Sequence, residues 1–90
     1  MIFKTNIMKV LLKLESRFYT QEQNNSLYRN MIEINWNIPC LPNKHDLVEI
    51  NDIVDNMPEW DEGSLSWLID FIQFTKIDSQ IVPIIWLQGE

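Results

Sequence analysis

Hydrophobic and polar positions alternate over several short stretches of the chain. In "KVLLKLESRFY", residues 9–19, Val10, Leu12 and Leu14 alternate with Lys9, Lys13 and Glu15 around Leu11. A period of two belongs to a half-buried β-strand, whose successive side chains point to opposite faces. Leu and Lys are also good helix formers, so a helix competes here. The clearest strand is "MIEINWNIP", residues 31–39. Ile32, Ile34, Trp36 and Ile38 share one face, and Glu33, Asn35 and Asn37 share the other. Pro39 lacks a backbone N–H and is expected to end it.

The intervening stretch "TQEQNNSLYRN", residues 20–30, is polar and reads as a loop, because Asn and Ser favour turns. "CLPNKHD" predicts a turn around Pro42 and Asn43. "DLVEINDIV", residues 46–54, resumes alternation and reads as a strand. "DNMPEWDEGS", residues 55–64, is an acidic loop punctuated by Pro58 and Gly63, and one helical turn fits over Asp52 to Met57.

"LSWLIDFIQFTKI", residues 65–77, supports two readings. A strand puts Trp67, Ile69 and Phe71 on one face. A helix over about 65–74 would be capped by Ser64, with Leu65, Leu68, Ile69 and Ile72 at helical spacing. The β-branched and aromatic content favours the strand. "KIDSQ" is then a turn, and "IVPIIWLQ", residues 81–88, is a last strand that Pro83 marks as an edge or a bulge. The expected fold is mainly β: a small five-stranded antiparallel barrel with one short helical turn. The alternative is an α+β fold with a helix at about 65–74. Residues 1–90 are expected to form a single domain, with 1–7 a lead-in to the pattern that begins at Met8.

Composition narrows the function classes. Hydrophobic residues make up 46% of the chain, with four Trp, four Phe and two Tyr, which is far from the signature of disorder. Cys40 is the only cysteine and His45 the only histidine. An internal disulfide is therefore excluded, and a closed four-ligand Cys/His zinc site cannot be assembled. Neither a metal nor a cofactor is expected. The formal charge is −6, and from Asp46 to Glu62 there are Asp46, Glu49, Asp52, Asp55, Glu59, Asp61 and Glu62 with no Lys or Arg. Such a chain repels the phosphate backbone, which disfavours nucleic acid as a partner. No stretch reaches the roughly 20 apolar residues of a membrane span, and the Lys-interrupted start does not read as a signal peptide. A lone cysteine fits a reducing compartment, so a cytoplasmic location is expected.

The candidate chemistry is sparse. Cys40 and His45, followed by Asp46, contain the residue types of a thiol nucleophile and its base, but the spacing is not diagnostic. Cys40 between apolar neighbours reads better as a core or strand-end residue. The acidic run lacks the spacing of a calcium loop. Trp36, Trp67 and Trp86 fall inside expected strands and are read as core. Trp60, in "PEWDEG", is an aromatic in a polar loop, either a contact residue or a cap on the barrel. With only Gly63 and Gly89, no phosphate-binding glycine loop can form.

The positions Pro39, Pro42, Asp46, Val48, Ile50, Trp67, Trp86 and Leu87 form a wider pattern: a Pro-rich turn, a "GD-V-I" strand, a strand led by Trp and a terminal "I-WL" strand. This pattern resembles small uncharacterised single-domain proteins of Bacteroides-like bacteria over the last two thirds of the chain. It departs where His45 stands in place of the glycine. The resemblance implies a compact SH3-like β-barrel without an assigned activity.

These readings converge on a small non-enzymatic protein-interaction module. It would bind a protein partner, or another copy of itself as a homo-oligomer, along an exposed strand edge. The expected contact residues are Trp60, Asp55, Glu59, Asp61 and Glu62. An acidic inhibitor that mimics nucleic acid is the alternative, and a cysteine-dependent enzyme using Cys40 and His45 is the weakest reading.

Overall fold

The alternation at the start of the chain is realised in β1 (Met8–Ser16), where Val10, Leu12 and Leu14 are buried on one face. The structure is a computed structural model and describes residues 8–55, 57–60 and 63–90. The expected lead-in, residues 1–7, lies outside them. Four more strands follow: β2 (Ile32–Trp36), β3 (Leu47–Val48), β4 (Trp67–Ile77) and β5 (Gln80–Gly89). They form one sheet in the order β2-β1-β5-β4-β3, curled into a half-barrel, so the fold is mainly β with five strands. The neighbours are antiparallel except for β1 and β5, which run parallel with Leu12 beside Ile85 and Leu14 beside Leu87. Residues 67–77 are strand throughout, which sets aside the helix at 65–74.

Three local expectations are corrected. Residues 20–30 are not a loop, because Gln21–Arg29 form helix α1. Its start is a capping box. The Thr20 hydroxyl accepts the Gln23 N–H at 3.1 Å, and the Gln23 side chain accepts the Thr20 N–H at 2.9 Å. Leu27 is the one α1 side chain that reaches the core. Residues 46–54 are strand only at Leu47–Val48. Ile50–Ile53 then form a single turn, α2, rather than the turn expected over Asp52 to Met57. One turn apart, Ile50 and Val54 both enter the barrel interior, the i, i+4 spacing that lies on one helix face.

Strand β5 is central in the sheet, yet Pro83 sits at a local edge of it, because pairing with β1 begins only at Ile84. Its tolerance has a physical reason. The β4–β5 hairpin turns at Asp78 and Ser79, with φ of 49° and 67°, and closes on the pair Ile77–Gln80. Both turn residues are left-handed, as in a type I′ hairpin, so the closing pair is hydrogen-bonded and alternate pairs follow. Phe74–Pro83 is therefore a non-hydrogen-bonded pair. The proline nitrogen faces away from β4, ahead of Ile84, where pairing with β1 begins.

The interior of the half-barrel is filled by Val10, Leu12, Leu14, Trp67, Ile69, Ile85 and Leu87 from the sheet, closed by Leu27, Ile50 and Val54. Trp67 lies over its cross-strand partner Gly89, where an added Cβ would sit 3.0 Å from the indole. On the outer face, Lys13 is only 8% exposed. Its ammonium lies 3.4 Å from the Tyr28 ring centroid and 4.1 Å from that of Trp86, which stacks in turn on Phe71 at 4.9 Å. Trp86 thus builds an outer-face ladder rather than the core. Only residues 8–12 of β1 pair with β2. Farther along that edge, the Asn24 side chain takes the place of a strand. Its oxygen accepts the Ser16 N–H at 3.0 Å and its amide donates to the Ser16 carbonyl at 2.9 Å.

Candidate interaction cleft

The curled sheet does not close. Its terminal strands β2 and β3 are not paired with each other, and a cleft of about 950 Å³ lies along this open seam. Ile34, Trp36 and Ile38 line one side, Leu47 and Val48 the other, and Ile53 and Val54 contribute from α2 and its end. The wall is therefore apolar, with two strand edges whose backbone groups are available on the seam side. Trp36 is held in place because its indole N–H donates to the Cys40 carbonyl at 2.9 Å.

The β3 side is set by a tight turn. The Asp46 N–H donates to the Asn43 carbonyl at 3.1 Å, and the Asp46 carboxylate accepts the Asn43 N–H at 2.8 Å. His45 takes the left-handed conformation there, with φ of 72°. The turn is tied to β4 because the His45 N–H donates to the Ile69 carbonyl and the Ile69 N–H to the Asp46 carbonyl, at 2.8 and 3.0 Å.

The rim carries one sign of charge. Glu33, Asp46, Glu49 and Asp55 line the cleft, and among the described residues no Lys, Arg or His does. Lys9 pairs with Glu33 at 2.6 Å on the exposed outer side of β2 and offsets its charge, so the acidic character of the rim rests on Asp46, Glu49 and Asp55. Low-dielectric walls beside like charges concentrate the field, so this groove favours cationic groups that also present apolar surface.

The expected contact residues are distributed differently. Asp55 lines the cleft, whereas Glu59 is exposed and away from its lining. Asp61 and Glu62 lie outside the described residues. Trp60 is half-buried against the core and meets Tyr19 edge-to-face at 4.8 Å, which is the capping arrangement. Cys40 is exposed in the loop after β2 rather than buried, and it borders the cleft. His45 is exposed on the turn. Among the described residues no three His, Cys, Asp or Glu side chains converge as a metal set.

Trp36, Glu33, Asp46 and Glu49 were not among the expected contacts. The alternation of "MIEINWNIP" was the available signal for Trp36, since it placed that ring on the buried face of a short strand. No described helix is long and apolar enough to cross a membrane. The chain matches no protein-family model, no curated protein and no solved structure.

Proposed function

We propose that the protein is a non-enzymatic interaction module whose open seam binds an extended segment of a partner protein. The single observation that carries this reading is the cleft between two unpaired sheet edges, apolar within and rimmed by the carboxylates of Asp46, Glu49 and Asp55. A strand laid against β2 would gain backbone hydrogen bonds, and its alternate side chains would enter the apolar groove. Charge complementarity makes the favoured segment one that alternates apolar and basic residues. The resemblance to SH3-like barrels is retained as part of this proposal. The left-handed backbone at His45, where the resembling pattern has glycine, supports it.

The test is titration of an eight-residue peptide alternating Val and Lys against one alternating Val and Glu, followed by Trp fluorescence and calorimetry. The Val/Lys peptide should bind and the Val/Glu peptide should not. The double change Glu49→Lys and Asp55→Lys should weaken binding at least about tenfold, or about 1.4 kcal/mol. Equal affinity for both peptides, or none for either, overturns the proposal. A second reading follows from the exposed carboxylates Asp52, Asp55 and Glu59. If an oligolysine without apolar residues binds equally well and is released by salt, the acidic inhibitor becomes the better description.

A further inference from the structure

The tip of the β4–β5 hairpin extends past Ile84, where pairing of β5 with β1 begins. Strand β3 pairs with Trp67 and Leu68, the turn before it bonds to Ile69, and a bulge follows at Asp70. Beyond the bulge, among the described residues, nothing pairs with the β3 side of residues 71–77. With its partner in β5 this stretch forms an arm whose outer edge is exposed, although Ile72 still packs against the core and Val82 and Pro83 across from Thr75 and Phe74 are buried. Phe71 is 46% exposed, Phe74 61%, Ile77 40% and Ile81 66%. Long apolar edges are usually blunted by charges, prolines or bulges. After Asp70 this edge has Lys76 alone.

We propose that two copies of the chain pair through this edge, β4 against β4, antiparallel about a two-fold axis at Phe74. Three observations select a second copy as the occupant. From Asp70 to Asp78 the edge carries two acids and one base, so it is close to neutral within a chain of formal charge −6. Repulsion between copies is least there. An edge strand meeting its own symmetry mate is also self-complementary, as an isologous interface requires.

The third observation is the register. Because Ile77–Gln80 is a hydrogen-bonded pair, the backbone groups of Ile72, Phe74 and Lys76 face outward. A symmetric ladder joins these outward residues, with Phe74 opposite Phe74 of the second copy and Ile72 opposite Lys76. Lys76 then lies one diagonal step from Asp70 of the second copy, an unlike pair that offsets the approach of Asp70 to Asp78 at each end of the ladder. This pairing buries the Phe74 ring and satisfies the bare edge. It does not depend on the seam and its ligand.

The test is the mass in solution by light scattering and sedimentation, from about 1 to 100 µM chain. The wild type should pass from monomer to dimer over this range. Phe74→Lys puts like charges across the axis and should weaken association at least about tenfold, with its circular dichroism unchanged. Lys76→Pro removes an outward N–H that β5 does not use, and should have the same effect even if Phe74→Lys fails to fold. In a Cys40→Ser background, Phe74→Cys should form a disulfide-linked dimer in oxidant, whereas Thr75→Cys, on the other face, should not. A wild type that stays monomeric overturns the proposal, whatever other partner the arm then serves. A dimer that survives Lys76→Pro, or that links as well through residue 75, overturns it too.

Discussion

Among the described residues, two stretches of this sheet leave strand edges without a strand beside them, and their surroundings are opposite. At the seam, β2 and β3 flank an apolar cleft whose rim is acidic. Along the arm, the edge is apolar and close to neutral from Asp70 to Asp78. Both edges offer the same backbone hydrogen bonds, so the backbone cannot distinguish their partners. Charge can. In a chain of net charge −6, the carboxylates of Asp46, Glu49 and Asp55 discourage another copy at the seam and favour a basic segment. The nearly neutral arm imposes a smaller penalty on self-pairing. Edge protection and partner choice are then one physical device, applied in one place and omitted in the other.

The sharpest way to break this comparison is to set the core end of the hairpin against its tip. Leu87 is 1% exposed and packs in the core, whereas Phe74 belongs to the arm. Leu87→Ala should cost about 2–5 kcal/mol, from lost burial and the cavity left behind. Phe74→Ala should change the stability of the monomer by less than about 1 kcal/mol, since the ring is largely in solvent. Urea denaturation at low chain concentration measures both. A large loss for Phe74→Ala would mean that the arm belongs to the core and is not free to pair.

A third edge sharpens the contrast because it is neither open nor paired with a strand. Beyond Leu12, the β2 side of β1 is satisfied by the Asn24 amide, which bonds both backbone groups of the buried Ser16. Asn24→Ala should cost about 1–3 kcal/mol by leaving these groups without their partner. Asn24→Asp keeps the acceptor for the Ser16 N–H but loses the donor to its carbonyl, so it should fall between alanine and wild type. Thermal melts of the three proteins give the order. If Asn24→Ala matches the wild type, water replaces the amide and this edge is no more closed than the other two.

The strands were legible because a period of two survives wherever one face is buried. This held for Val10, Leu12 and Leu14, and again for Trp67 and Ile69. Helix α1 was not legible by periodicity, since only Leu27 is buried and the segment is rich in Asn and Gln. Its signal was local: Thr20 and Gln23 stand at capping-box spacing. The parallel pairing of β1 with β5 joins distant parts of the chain, and no short pattern encodes it. The cleft was partly legible. Ile34 and Trp36 were placed on one strand face, but their meeting with Glu49 and Asp55 depends on the curl of the whole sheet. Trp60 was recognised as an aromatic in a polar loop, while the Tyr19 ring that covers it lies far away in the sequence.

The smallest effects are expected at the two turns that set the edges, and they separate the regions most cleanly. His45 holds a φ of 72° beside the seam, and Ser79 a φ of 67° at the tip of the arm. A side chain in this region crowds the adjacent carbonyl, and glycine removes that strain. Glycine also widens the unfolded ensemble, which offsets part of the gain. Each of His45→Gly and Ser79→Gly should therefore stabilise the chain by about 0.5–1 kcal/mol, a rise of several degrees in melting temperature for a domain of this size. Ser79→Gly also puts glycine directly after Asp78, the favoured sequence for a two-residue type I′ turn. The consequences should then diverge. Ser79→Gly stiffens the arm in its paired geometry and should tighten the dimer without changing peptide affinity. His45→Gly should leave the dimer as it is, because its turn contacts Ile69, before the bulge that begins the arm. If either substitution moves both properties together, the seam and the arm are one coupled surface rather than two independent edges.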